Sequence, residues 1–139
     1  METAADRIAR ILAGDRIIQG FGMRVVEARE GYAKVAVTVE DRFLNAQGIG
    51  HGVILFAAAD AAFALSVNAI ADSVGIQWSL NAVRAAAAGE EIVGEARVMH
   101  RGRRFLVVQL SVTGSDGRLL VAGQAVAAPR TPAAAGGPA

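Results

Sequence analysis

The 139-residue chain contains no cysteine, which excludes a disulfide framework, a thiolate metal site and a cysteine nucleophile, and points to an intracellular protein. An excess of charge of one sign is missing too. Fourteen basic and 13 acidic residues leave a formal net charge of +1, without the basic surplus that a nucleic-acid-binding chain shows as a patch or stripe. The two histidines, His51 and His100, make no metal-ligand cluster, and no G-x-S-x-G elbow is present for a serine hydrolase. The opening METAADRIARIL lacks the apolar core and small-residue cleavage site of a secretory signal. It reads as an amphipathic part of the mature protein and favours a cytoplasmic location.

What the chain does have is apolar surface: 53% of its residues are hydrophobic, and its length suits one domain with a real core, expected over residues 1–130. The Pro/Gly-rich TPAAAGGPA, residues 131–139, reads as a disordered tail. The longest apolar run, Val53 to Ile70, approaches the roughly 20 residues that cross a bilayer. Asp60 stands near its middle, however, with Ser66 and Asn68 close behind, and a central Asp alone costs about 2.5–3.5 kcal/mol on insertion scales. A helix apolar on nearly every side is instead expected inside a soluble fold, wrapped by the rest of the chain.

The rest reads as strands. GYAKVAVTVE puts Ala33, Val35, Val37 and Val39 on one face, with Lys34, Ala36, Thr38 and Glu40 on the other. GIQWSLNAVRA places Ile76, Trp78, Leu80 and Ala82 opposite Gln77, Ser79 and Asn81, and RRFLVVQLSVTG places Leu106, Val108, Leu110 and Val112 opposite Phe105, Gln109 and Ser111. GFGMRVVEAREG, EEIVGEARVMHR and GRLLVAGQAVA complete the set, with GSDGR, residues 114–118, as a hairpin turn. The expected order is a short N-terminal helix, two strands, one long central helix and four strands, without internal repeat.

This expected α+β arrangement, an antiparallel sheet wrapped around one long helix, is what the hotdog fold looks like. FLNAQGIGHGVILFAAADAAFALSVN resembles the signature of the PaaI-type acyl-CoA thioesterases: an Asn, then a Gly, a His-Gly-Gly opening the helix, and a stretch like LADSAFA carrying the catalytic Asp. The matching positions are Asn45, Gly48, His51, Gly52 and Asp60. SLNAVRAAAAGEEIVGEARVMHRGRR is similar to the family's later strand, Arg-Pro, Gly-Asp, strand and basic turn. The resemblance spans roughly residues 20 to 128. Three positions depart from it: Val53 replaces the second glycine of His-Gly-Gly, Ala85 replaces the proline, and Glu90 is the acid after Gly89. Val53 narrows the space at the helix start and so bears on the acyl group accepted there. The lost proline alters the rim of the site.

Elementary chemistry points to the same residues. A helix N-terminus presents unpaired N–H groups and partial positive charge, so Gly52, with no side chain in the way, can donate to a thioester carbonyl oxygen. Such an oxyanion donor is worth about 2.7–4 kcal/mol in the transition state. Asp60 can attack the carbonyl carbon or activate a water, and burial among alanines is expected to raise its pKa. Eight residues separate the two, or about 12 Å along a helix and some 80° around it, too far to grip one carbonyl. An antiparallel second copy would bring Asp60 of one chain to Gly52 of the other, twice by symmetry. The resemblance likewise implies a homodimer with two composite sites, usually paired again into a tetramer.

Asn45 either closes its loop through an Asx turn or, as the resemblance implies, orients Asp60 or water. His51 is expected to support the helix start rather than act as a base, and Gln47 either reaches the carbonyl or is solvated. Arg84, Arg101, Arg103 and Arg104 are candidates for the phosphates of coenzyme A, Arg103 foremost, or else charges that keep sheet edges soluble. GIGHGV is a poor dinucleotide fingerprint, since Val53 takes the last glycine and no βαβ alternation surrounds it. No metal or redox cofactor is implied; coenzyme A enters as part of the substrate. The expected activity is hydrolysis of an aryl- or fatty-acyl-CoA to the free acid and CoA. A non-catalytic acyl-CoA-binding or sensor module is the alternative on the same fold.

Overall fold

The computed structural model describes residues 1–130; the expected disordered tail, 131–139, lies outside the described residues. The chain opens with α1 (Ala4–Gly14), started by a reciprocal cap in which the Thr3 hydroxyl accepts the Asp6 N–H at 3.1 Å and the Asp6 carboxylate accepts the Thr3 N–H at 2.9 Å. A second short helix, α2 (Arg16–Gly20), follows where the sequence suggested none, because the Asp15 side chain accepts from both Ile17 and Ile18 N–H and starts a new turn. Ile8, Ile11 and Leu12 of α1 pack against the core, and α2 buries Ile18 in it.

The strands are β1 (Arg24–Arg29), β2 (Tyr32–Thr38), β3 (Ser73–Ala82), β4 (Glu91–Arg101), β5 (Leu106–Thr113) and β6 (Leu119–Pro129), with α3 (Gly52–Asn68) between β2 and β3. They form one sheet ordered β1-β2-β4-β5-β6-β3, antiparallel throughout. This is the expected hotdog fold. Ala33, Val35, Val37 and Val39 are all fully buried, as are Val108 and Val112 with Leu106 and Leu110 almost so. The inner faces of β2 and β5 therefore meet α3 as their period required. The GSDGR turn forms as read, its Gly117 at φ 81° and the Gly114 N–H donating to the Arg118 carbonyl at 2.9 Å.

The sheet closes onto α3 where both sides are small. A Cβ on Gly94 of β4 would lie 2.2 Å from the Ala58 carbonyl oxygen, so the strand there rests on the helix backbone itself. The wrapping is incomplete, however. Ile54, Leu55, Ala58, Ala59, Ala61, Ala62 and Phe63 are buried, whereas Val53, Phe56 and Asp60 are exposed, with Ala57 and Ala64 half-covered. Spaced at three and four residues, these five make one stripe along the helix. Asp60 thus stands on the helix's open face, where the sequence suggested burial among alanines. Among the described residues no helix is long and apolar enough to cross a membrane.

Strand β3, at the sheet edge, departs from strict alternation. Gly75 pairs with Ala127 and Gln77 with Val126, leaving Ile76 as an extra residue in a bulge. The bulge puts Gly75, not Ile76, on the helix side with Trp78. A Cβ there would fall 2.4 Å from the Trp78 ring and 2.8 Å from that of Phe63.

Candidate active site

The loop before α3 is tied at both ends. Leu44 bridges to Gly50, the Gly50 N–H donates to the Ala86 carbonyl at 2.8 Å, and the His51 N–H donates to the Phe43 carbonyl at 2.8 Å. Within it, Asn45 Oδ1 accepts the N–H groups of Gln47 at 2.9 Å and Ile49 at 3.3 Å. That is the Asx turn considered above, and Gly48, at φ 78°, supplies the left-handed residue it needs. The Asn45 amide nitrogen has no partner among the described residues.

His51 is the N-cap of α3. Its Nδ1 accepts the Val53 N–H at 3.0 Å, which places the proton of the neutral ring on Nε2. The Ile54 N–H turns back to the His51 carbonyl at 3.0 Å. Of the first three amides of the helix, only that of Gly52 has no acceptor among the described residues. A Cβ on Gly52 would meet nothing closer than Phe56 Cε2 at 4.0 Å, so the approach to this N–H is open.

Two turns further along, Asp60 shares a pocket of about 430 Å³ with Val53, Phe56, Ala57, Trp78 and Leu80. Although it opens to solvent, its carboxylate lies against these apolar side chains, and their desolvation raises its pKa above the ordinary 3.8. A hydrogen bond from Trp78 Nε1 to Oδ1, 2.8 Å long, pulls the other way, and the charge of Asp15 adds a smaller upward push. A second pocket of about 410 Å³ lies at the helix start, lined by Phe21, Arg42, Phe43, Leu44, His51, Val53 and Ile54. The Phe21 and Phe43 rings sit 4.8 Å apart there. Val53 is the wall common to both pockets.

The structure thus gathers Asn45, Gln47, His51, Gly52 and Val53 at the start of α3 and keeps Asp60 two turns away in the same chain. Arg84 follows the end of β3, and Arg103 and Arg104 sit in the exposed β4–β5 turn next to Arg101; none lines either pocket. Trp78 also belongs to this candidate site, although the sequence does not mark it. Its alternation showed the face, but the bulge and the glycine that bring its indole to Asp60 leave no periodic signal. Among the described residues no group of three His, Asp or Glu side chains is placed to hold a metal.

Comparison with known proteins agrees with this geometry. The thioesterase superfamily model matches residues 47–121. A candidate esterase of Archaeoglobus fulgidus is 35% identical over 76% of this chain and 70% of its own. The acyl-coenzyme A thioesterase PaaI of Escherichia coli is 29% identical over 73% of this chain and 74% of its own. The structure of E. coli PaaI superposes with a TM-score of 0.88 at 23% identity, covering 92% of this chain and 94% of that one. A hypothetical thioesterase protein of Streptococcus pneumoniae, solved with coenzyme A, gives a TM-score of 0.76 at 25% identity, covering 82% and 93%. The family model covers more than half of the chain, and the Archaeoglobus fulgidus relative matches it over more than two thirds of both chains. The chain belongs to the thioesterase superfamily.

Proposed function

We propose that this protein is an acyl-CoA thioesterase whose working unit is a homodimer, two of which pair into a tetramer. The observation that carries the reading is the open stripe of α3, where Asp60 sits in an otherwise apolar row, Val53, Phe56, Ala57 and Ala64. An apolar helix face with one carboxylate suits a second copy of the same helix running antiparallel. Pairing of that kind brings Asp60 of the partner subunit to the free Gly52 N–H. The unpaired edge of β3, with Val74 and Ile76 exposed, lies on the sheet's end and suits continuation into the partner's sheet.

In this reading the thioester carbonyl oxygen accepts from Gly52 N–H, with the partial positive charge of the helix start behind it. Asp60 either takes a proton from the water that attacks the carbonyl carbon or attacks that carbon itself, giving an anhydride that water then opens. In both routes the C–S bond breaks and the thiolate of CoA leaves to be protonated. Its raised pKa makes Asp60 a stronger base than an ordinary aspartate. Asn45 and Gln47 assist from the loop, Asn45 through its free amide nitrogen, and His51 holds the helix start. No metal or redox group takes part. Arg103 and Arg84 meet the CoA phosphates from the surface. The coenzyme A in the pneumococcal relative and the acyl-coenzyme A substrate named for E. coli PaaI support a CoA thioester. The pocket of Phe21, Phe43, Leu44 and Ile54 suits an aryl or short to medium alkyl group.

A thiol-release assay over phenylacetyl-, benzoyl-, acetyl-, hexanoyl- and decanoyl-CoA tests the proposal. Turnover of at least one, lost in Asp60→Asn, is expected. Tight binding of the whole panel without thiol release would replace it with the sensor reading.

A further inference from the structure

We propose that Trp78 is a positioning residue for Asp60: its indole N–H holds Oδ1 and leaves Oδ2 as the oxygen that acts on water or substrate. The inference deepens the thioesterase reading and rests on Asp60 being the reacting carboxylate. Three features of β3 build the contact. The bulge at Ile76 brings Gly75 into line with Trp78, and the missing side chain of Gly75 lets the indole fold down over its own strand, since a Cβ there would overlap the ring at 2.4 Å. Phe63, buried in α3, meets the indole edge-on with ring centroids 6.0 Å apart and planes at 78°. Held from both sides, Nε1 lies 2.8 Å from Asp60 Oδ1.

Among the described residues nothing else restrains that carboxylate. Its helix neighbours on the open stripe are Val53, Phe56, Ala57 and Ala64, none of which donates a side-chain hydrogen bond. Among the described residues Trp78 is its sole side-chain partner. From β3 no charged group faces it, and the charge that acts on it from the α1–α2 junction is Asp15, an acid that repels rather than orients. A carboxylate on a free χ2 offers either oxygen in many directions. One tied at Oδ1 has its plane fixed and presents Oδ2, with its two lone pairs, in one orientation, and such preorganisation is what general-base and nucleophilic catalysis require.

The chain has a single tryptophan, so its fluorescence reports this contact without reference to activity. In the intact oligomer, emission is expected to titrate with the protonation of Asp60, and the titration to vanish in Asp60→Asn. Trp78→Phe keeps the ring and removes the donor. Its kcat on the best acyl-CoA of the panel should fall about tenfold, the size expected for one hydrogen bond to a charged group, with KM nearly unchanged. Because the lost bond favoured the carboxylate, the acidic limb of its pH–rate profile should move to higher pH. Gly75→Ala, which keeps the donor but displaces the ring, should move the limb in the same direction. Wild-type kcat and an unmoved limb in both variants, or an emission titration that survives in Asp60→Asn, would overturn the proposal. If Asp60→Asn itself keeps full turnover, it is the catalytic reading of Asp60 that fails, a different result from an inert Trp78→Phe beside an inactive Asp60→Asn.

Discussion

The imidazole of His51 accepts the Val53 N–H at 3.0 Å, and the amide next to it, that of Gly52, has no acceptor among the described residues. One side chain therefore satisfies the second amide of α3 and leaves the first without an acceptor among the described residues. His51→Ala removes the cap and should lower stability by about 1 kcal/mol, the usual cost of losing an N-cap. His51→Ser, whose hydroxyl can make the same bond, should restore most of it. Urea denaturation of the three proteins checks this. If the histidine works only as a cap, His51→Ser should also recover thioesterase activity.

Asp60 ties stability to pH with an uncommon sign. Desolvation, its largest influence, raises the carboxyl pKa in the folded chain above 3.8, against a smaller lowering by Trp78. Between the unfolded and folded pKa values the native state then binds more protons than the unfolded one, so this group's contribution to stability falls as pH rises through that window. Asp60→Asn, which cannot ionise, should raise the thermal midpoint at pH 7 and leave it nearly unchanged well below pH 3.8. The same variant should lose at least about 100-fold in kcat, the lower end of what a positioned base contributes. Greater stability together with lost turnover would mark a residue kept for chemistry at the fold's expense.

Strand β2 was legible because its inner face packs directly on α3, so Ala33, Val35, Val37 and Val39 are fully buried at the two-residue period, although Ala36 on the other face is buried as well. Strand β3 was legible as a strand and in the shared face of Trp78, Leu80 and Ala82, but not at Ile76, where a one-residue bulge shifts the alternation without changing composition. The open stripe of α3 was hidden for a different reason: Val53, Phe56 and Ala57 are as apolar as the buried residues beside them, so only packing separates the two faces. Asp60 and Gly52 stood out as a lone acid in an apolar run and a glycine at a helix start. Trp78 had no such contrast, being one apolar residue in an alternating row. Helix α2 escaped because five residues, Arg16–Gly20, are too few to show a helical period.

Val53 forms the wall between the pocket of Asp60 and the pocket at the helix start. It is 56% exposed in the single chain, so trimming it removes little core packing. Val53→Gly should widen the passage and shift kcat/KM toward bulkier acyl groups, measured as the ratio of decanoyl- to acetyl-CoA hydrolysis. A single methylene's worth of space in an apolar pocket changes such a ratio by roughly 10- to 200-fold. An unchanged ratio would place the acyl group away from Val53.

Arg7 fastens α1 to the far end of α3. Its guanidinium donates from Nε to the Asn68 and Ala69 carbonyls at 3.1 and 3.2 Å and from Nη2 to Ala69 at 2.6 Å. These carbonyls end the helix, where unpaired acceptors and partial negative charge collect. Arg7→Met keeps much of the aliphatic stem but loses the donors, and should cost about 1–2 kcal/mol in urea denaturation. Turnover should be little affected, because Gly52 and Asp60 lie in the first nine residues of α3 and Arg7 holds its last turn.

Gly94 sets how closely the sheet can approach the helix that carries both candidate site residues. An added Cβ would stand 2.2 Å from the Ala58 carbonyl oxygen and 2.5 Å from its carbon, and neither backbone atom can rotate away. Gly94→Ala must therefore lift β4 off α3 or bend the helix between Gly52 and Asp60. Overpacking of this kind costs about 3 kcal/mol or more where nothing flexible can yield. Gly14→Ala, at the end of α1 with no atom within 4 Å of the new methyl, is the matched control and should be neutral or slightly stabilising. Comparing the two by urea denaturation and thiol release separates a general effect of losing glycine from loss of this contact: Gly94→Ala should lose stability and turnover together, Gly14→Ala neither.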